Sequence, residues 1–144
     1  MDDLKNPSGK TAGQVEVSLI KKCLQSGDAK LTLQYCQEIL AVEPKRIQIL
    51  LFAAIASRSL GWLDDSIDFI NRAMTVAPNL PGIHSILGDI MLLQKKPGPA
   101  LNALLKAKHL GDDSAQNSFN IGSAFLALEA FEDAKTHFDG RRRS

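Results

Sequence analysis

The side chains that could do chemistry include three histidines and two cysteines, and their spacing limits that chemistry. His84, His109 and His137 never stand three or four residues apart, so no helical zinc spacing exists. Cys23 and Cys36 lack a C-x-x-C pattern and fall at inward places of an apolar pattern. We therefore expect the histidines to pack or to lie at the surface, and the thiols to be core residues. No catalytic residue, metal ligand or cofactor-binding residue is predicted.

A cluster of acidic residues follows the single tryptophan. Paired carboxylates act in acid–base catalysis only when they converge across a cleft. Asp64, Asp65 and Asp68 instead fall at the start of an apolar helical pattern, where carboxylates cap N–H groups and complement the helix dipole. Trp62 is predicted at a turn, where it either anchors a partner or covers the neighbouring turn, and both interpretations stay open.

Composition limits the class of protein. The 144 residues are 44% apolar and 23% charged, which is typical of a single globular domain. A net charge of +1 provides no field for nucleic acid or an anionic membrane, and we expect neither as a partner. No apolar run approaches the roughly 20 residues that cross a bilayer. Residues 1–12 lack the pattern of a signal peptide and are predicted to be a disordered leader, so we expect a cytoplasmic location.

One interval recurs along the chain. Pro44 and Pro78 are 34 residues apart, and so are Gly27 and Gly61. The same interval separates Ala73 from Ala107, Gly88 from Gly122, and Ala100 from Ala134. Repetition at one spacing indicates a repeat protein, in which each unit is one supersecondary motif.

Each repeat contains two helical patterns separated by a break. The units are about 13–46, 47–80, 81–114 and 115–143, and they form one all-α domain. The predicted helices of the last three units cover residues 47–60 and 63–76, 83–93 and 99–110, and 114–128 and 131–142.

The spacing and residue types resemble the tetratricopeptide repeat (TPR). That family prefers small residues at the eighth, twentieth and twenty-seventh places, where helices approach most closely. Those places hold Ala54, Ser66 and Ala73 in the second unit, Gly88, Ala100 and Ala107 in the third, and Gly122 and Ala134 in the fourth, with Phe138 at the aromatic place. The first unit departs most, and Asp112 replaces the terminal proline of the third. The resemblance implies a right-handed superhelical solenoid of four helix-turn-helix hairpins.

The resemblance also implies a binding surface on the first helix of each unit. Carried over place by place, the expected partner contacts are Val17, Lys21, Gln48, Leu51, Ile55, Arg58, Ser85, Asp89, Phe119 and Ser123, with Leu92 and Leu126 among the further wall positions. The wall is half apolar, and only Lys21 and Arg58 are cationic, which argues against the family's carboxylate clamp. An amphipathic helix or an apolar extended segment fits better. The alternative is that the leucines pack between neighbouring first helices.

The predicted function is therefore a scaffold that binds a peptide or helix of another protein in the concave groove. The alternative is the N-terminal repeat region of a larger enzyme, such as a sulfotransferase or glycosyltransferase. RNA binding is a third possibility, which the near-neutral charge disfavours. Because the chain stops soon after Phe138, we expect a truncated protein or a homo-oligomer through the C-terminal edge.

Overall fold

The computed structural model describes the backbone of residues 12–143 and the side chains of residues 17–133 and 135. The leader predicted over residues 1–12 falls outside this part except at Ala12, where the first helix begins. The described chain forms α1 Ala12–Gln25, α2 Ala29–Val42, α3 Ile47–Ser59, α4 Leu63–Val76, α5 Pro81–Leu93, α6 Pro97–His109 and α7 Ala115–Arg143, and contains no strand. The helices group into two compact units, one with α1–α4 and one with α5–α7, which meet in sequence at Ala77 and Pro78.

The all-α prediction is confirmed, and the predicted starts of two helices and one predicted break are corrected. Helix α5 begins at Pro81 rather than Ile83. Helix α6 begins at Pro97 rather than Pro99, because a proline is favourable at the first helical position. The break predicted between Leu128 and Phe131 is wrong, since α7 runs without interruption over 29 residues. The stretch Leu128–Phe131 contains no glycine, proline or capping residue, so nothing in it stops a helix. The described chain therefore has three hairpins and one long helix where four hairpins were expected.

The three hairpin turns share one conformation. In each, the second residue after the first helix has a positive φ: 82° at Gly27, 78° at Gly61 and 64° at Lys95. The next N–H reaches back to a carbonyl five residues earlier, as in the 2.9 Å bond from Lys96 to Met91. This is the Schellman geometry, which satisfies the last carbonyls of a helix.

Ser66 and Gly88 lie at close helix crossings, as predicted, whereas the close approach predicted at Gly122 is wrong, because a Cβ there would meet no atom within 4 Å. In the unit of α1–α4, the Ser66 hydroxyl donates a 2.6 Å hydrogen bond to the Ala54 carbonyl. In the unit of α5–α7, a Cβ on Gly88 would stand 2.5 Å from the Leu104 side chain. Each unit also has large, fully buried apolar side chains. They are Ile49, Leu50 and Ile70 in the unit of α1–α4, and Ile83, Ile90 and Leu104 in the unit of α5–α7.

None of the described helices combines the length and the apolar character needed to cross a bilayer.

Candidate functional site

In the unit of α1–α4, the predicted contacts fall on two first helices. Val17 is half-buried and Lys21 exposed on α1, whereas Gln48 is exposed on α3. Leu51, Ile55 and Arg58, also on α3, are half-buried, so part of each side chain packs within the protein.

In the unit of α5–α7, the predicted contacts fall on α5 and α7. Ser85 and Asp89 are half-buried on α5. Phe119 on α7 is 70% exposed, which is high for an aromatic ring. One turn later, the half-buried Ser123 donates a 3.0 Å hydrogen bond from its hydroxyl to the Phe119 carbonyl.

A cleft of about 410 Å³ lies between α7 and the C-terminal end of α5. It brings together Leu92 and Ser123, two positions that the repeat frame places on the binding wall. The rest of its lining consists of Lys95, Pro97, Ala127 and Phe131. The cleft is thus mostly apolar and has one cation among its lining residues, which suits an apolar side chain of a bound peptide.

Sequence reasoning missed four of the six lining residues, which are Lys95, Pro97, Ala127 and Phe131. The repeat frame predicts Ala127 and Phe131 on either side of a turn that does not form, so it does not predict that they share a wall. Lys95 and Pro97 fall in the break predicted between residues 93 and 99. The place of Lys95, 34 residues after Gly61, was the available signal that it occupies the same turn position.

A second cavity, of about 250 Å³, lies between α1 and α2. Leu19, Tyr35, Ile39 and Val42 supply most of its walls, and none of the predicted contact residues lines it. It therefore gives no support to the predicted wall.

Ser85 is engaged within the protein. Its hydroxyl donates a short hydrogen bond to the Asp112 carboxylate, whose other oxygen accepts a 3.0 Å bond from the Ser114 N–H. Hydrogen bonds from Ser114 and then from Ser85 hold the pKa of Asp112 below its usual value. Asp112 thus links α5 to the turn before α7, which explains an aspartate at the place where the first two repeats have proline.

We expect replacement of Asp112 by asparagine to lower stability in a pH-dependent way. Because its carboxyl has a lowered pKa in the folded state, its contribution is present above the unfolded-state pKa and is lost as pH falls through the folded-state pKa. Thermal melts of wild type and Asp112→Asn should differ at neutral pH and converge in strong acid. A gap of constant size down to the lowest pH would contradict this role.

His84 and both cysteines are buried in the protein. The Nε2 of His84 lies 2.7 Å from the Pro78 carbonyl oxygen. Cys23 and Cys36 are buried free thiols, and burial raises the pKa of Cys36 to about 12, so its thiolate is disfavoured. His137 lies outside the described side chains. Among the described residues, no three potential ligands cluster as a metal site.

Asp64 and Asp65 lie in the first turn of α4, as predicted, where their charges complement the helix dipole, whereas Asp68 lies beyond that turn. Trp62, just before that turn, is 46% exposed.

No protein-family model matches the sequence, and a comparison with characterised proteins finds no sequence relative. Solved structures, in contrast, do match the fold of this chain. The first TPR of Spaghetti (RPAP3), bound to the HSP90 peptide SRMEEVD, matches with a TM-score of 0.74 at 14% identity over 81% of this chain and 92% of that chain. The Yersinia enterocolitica chaperone SycD, in complex with a peptide of the translocator YopD, gives 0.70 and 16% over 90% and 99%.

Larger proteins also match over part of their length. A Thermobaculum terrenum O-GlcNAc transferase gives a TM-score of 0.73 at 18% identity over 77% of this chain. The chain spans only 21% of that transferase, and 22% of a chain from the APC/C hetero-tetramer Cut9-Hcn1. At such identities a likeness establishes the fold alone. The described helices have the tetratricopeptide-repeat fold.

Proposed function

We propose that this protein is a non-catalytic scaffold that binds a peptide or helix of another protein. The observation that carries the proposal is the cleft between α5 and α7, because it joins two wall positions, Leu92 and Ser123, around an apolar volume. The exposed ring of Phe119 extends the same helix surface one turn away. An apolar anchor residue of the partner would enter the cleft, and its flanking residues would contact Phe119.

Structures of similar fold give independent support. The Spaghetti domain holds an HSP90 peptide and SycD holds a YopD peptide, so the fold accommodates peptide ligands in those proteins. We extend the same ligand class to this chain. The remaining predicted contacts are proposed as further partner contacts within each unit: Val17, Lys21, Gln48, Leu51, Ile55 and Arg58 in the unit of α1–α4, and Ser85 and Asp89 in the unit of α5–α7.

The proposal includes further expectations about partners and location. A net charge of +1 provides little overall attraction for a phosphate backbone, so no nucleic-acid partner is proposed. Two buried free thiols fit the reducing cytoplasm.

A homo-oligomer through the C-terminal edge is proposed because Phe125, Leu126 and Phe131 on α7 are 54%, 68% and 63% exposed. A molar mass twice that of the chain in sedimentation equilibrium would support it, and the monomer mass at every concentration would refute it.

The enzyme alternative is less favoured. It draws on the transferase match, which covers about a fifth of that protein and concerns the fold of the shared helices.

The proposal predicts that a carboxylate placed in the cleft abolishes peptide binding. Ala127 is exposed on α7 and lines the cleft, so Ala127→Glu leaves the core intact and places a charge where an apolar side chain binds. Desolvating that charge should weaken binding by about 100-fold or more. Displayed random peptides selected on wild type would be measured against both proteins by fluorescence anisotropy.

The matched control is Ala130→Glu, which adds the same charge to the same helix at an exposed alanine outside the cleft. Circular dichroism should show equal helicity for both variants. Equal peptide affinity of the two variants would refute the cleft as the binding site.

A further inference from the structure

The turn between α5 and α6 carries a lysine where the equivalent turns carry glycine. Gly27, Gly61 and Lys95 are spaced by 34 residues and all have left-handed backbone, with φ of 82°, 78° and 64°. Glycine adopts this conformation freely, whereas a side chain makes it unfavourable. The third hairpin therefore keeps a residue that is locally worse for folding than the residue used in the first two.

Packing does not account for the lysine. Lys95 is exposed, and a Cβ at the equivalent Gly27 or Gly61 would meet no atom within 4 Å. The turn has open space around this position in the two other hairpins, so no core contact requires a long side chain there. Unfavourable backbone conformations are concentrated at ligand-binding and other functional sites, so that of Lys95 indicates a role in binding.

The position of Lys95 points to that role, because its side chain lines the cleft between α5 and α7. None of the other described residues that line the cleft is acidic. No ion pair joins Lys95 to a carboxylate among the described residues. The cleft thus combines apolar walls with a cation that pairs with no carboxylate in the described part of the chain.

We propose that Lys95 is a specificity-determining residue that pairs with an aspartate or glutamate of the bound peptide, near the apolar side chain that enters the cleft. The inference rests on the proposed function and names the chemistry of its partner: an apolar residue accompanied by a carboxylate. An ammonium is a compact charge on a flexible stem, so it tolerates several spacings between carboxylate and anchor.

Parallel selections test this charge preference. Displayed libraries of short random peptides are selected on wild type and on Lys95→Gly, which restores the glycine of the other hairpins. Peptides from wild type should be enriched in acidic residues beside an apolar residue, and peptides from Lys95→Gly should keep the apolar residue without the acidic enrichment. A synthetic wild-type-selected peptide should bind Lys95→Gly roughly 2- to 5-fold more weakly, as expected for an exposed ion pair.

Three controls separate charge from folding. Lys95→Arg should restore affinity, and Lys96→Gln should leave it unchanged, because Lys96 does not line the cleft. High salt should remove the difference between wild type and Lys95→Gly. The melting temperature of Lys95→Gly should equal or exceed that of wild type, since glycine suits the left-handed turn. A lower one would contradict the conformational argument and overturn the proposal.

The results separate the role of Lys95 from the proposed peptide-binding function of the cleft. Identical peptide preferences on wild type and Lys95→Gly, with binding still abolished by Ala127→Glu, would overturn the role of Lys95 alone. Failure to recover any peptide on wild type would overturn both proposals.

Discussion

Replacing Gly88 with leucine is expected to destabilise the fold by about 3 kcal/mol, the upper part of the usual range for overpacking. A Cβ at this position would stand 2.5 Å from both Cγ and Cδ2 of Leu104 and 3.2 Å from the Ala100 carbonyl oxygen. Leu104 is fully buried and the carbonyl belongs to the backbone of α6, so neither can move away cheaply. Chemical denaturation of wild type and variant measures the loss.

Gly122 provides the matched control, since it occupies the same eighth place in the next repeat. A Cβ on Gly122 would meet nothing within 4 Å, because α7 continues where a second helix was expected to fold back. Gly122→Leu should therefore change stability by less than about 1 kcal/mol, in the favourable direction given by helix propensity. Equal losses at the two glycines would show that α7 has a packed neighbour at this place.

Replacing Asn117 with aspartate should cost about 3–4 kcal/mol at neutral pH, although the two side chains have nearly the same shape. Asn117 is 2% exposed, and its Nδ2 donates 3.3 Å hydrogen bonds to the carbonyls of Leu104 and Asp112. A carboxylate cannot donate, so both bonds would be lost and a buried charge would face two carbonyl oxygens. Burial would raise the pKa of the new carboxyl, so the cost should shrink in acid, where the group is protonated.

Asn120→Asp makes the same change three residues later on α7. Asn120 is also buried, but its Oδ1 accepts a 3.1 Å hydrogen bond from the Gln116 side chain, a role that a carboxylate can keep. Its cost should be about 1 kcal/mol. Denaturation curves at neutral and acidic pH would check both variants, and equal costs at neutral pH would contradict the assigned bonds of Asn117.

The fold was predictable from the sequence because its signals are local and repeated. The spacing of Pro44 and Pro78 sets the period, and small residues at Ala54 and Gly88 mark crossings that the structure contains. The path of α7 was not predictable in the same way. The repeat frame required a turn after Leu128, but the local residues favour a continued helix, and local propensity prevails in the structure.

The candidate site was predicted only in part. Leu92 and Ser123 follow from the repeat frame, whereas Ala127 and Phe131 reach the cleft only because α7 is continuous. Lys95 was not predicted, because lysine is common in turns. Its left-handed φ is visible only in the backbone of the folded chain. Which residues line a cleft depends on how helices cross, and periodicity alone does not determine that.

The most direct test of the central claim is hydrogen–deuterium exchange of the full chain with and without a peptide selected on wild type. The account predicts slower exchange on peptide binding at the C-terminal end of α5, in the following turn with Lys95, and along α7 from Phe119 to Phe131. Helix α2, which lines the other cavity, should be unaffected. Protection confined to α1 and α2, with none in α5 or α7, would contradict the account, because the peptide would then occupy a surface outside the proposed cleft.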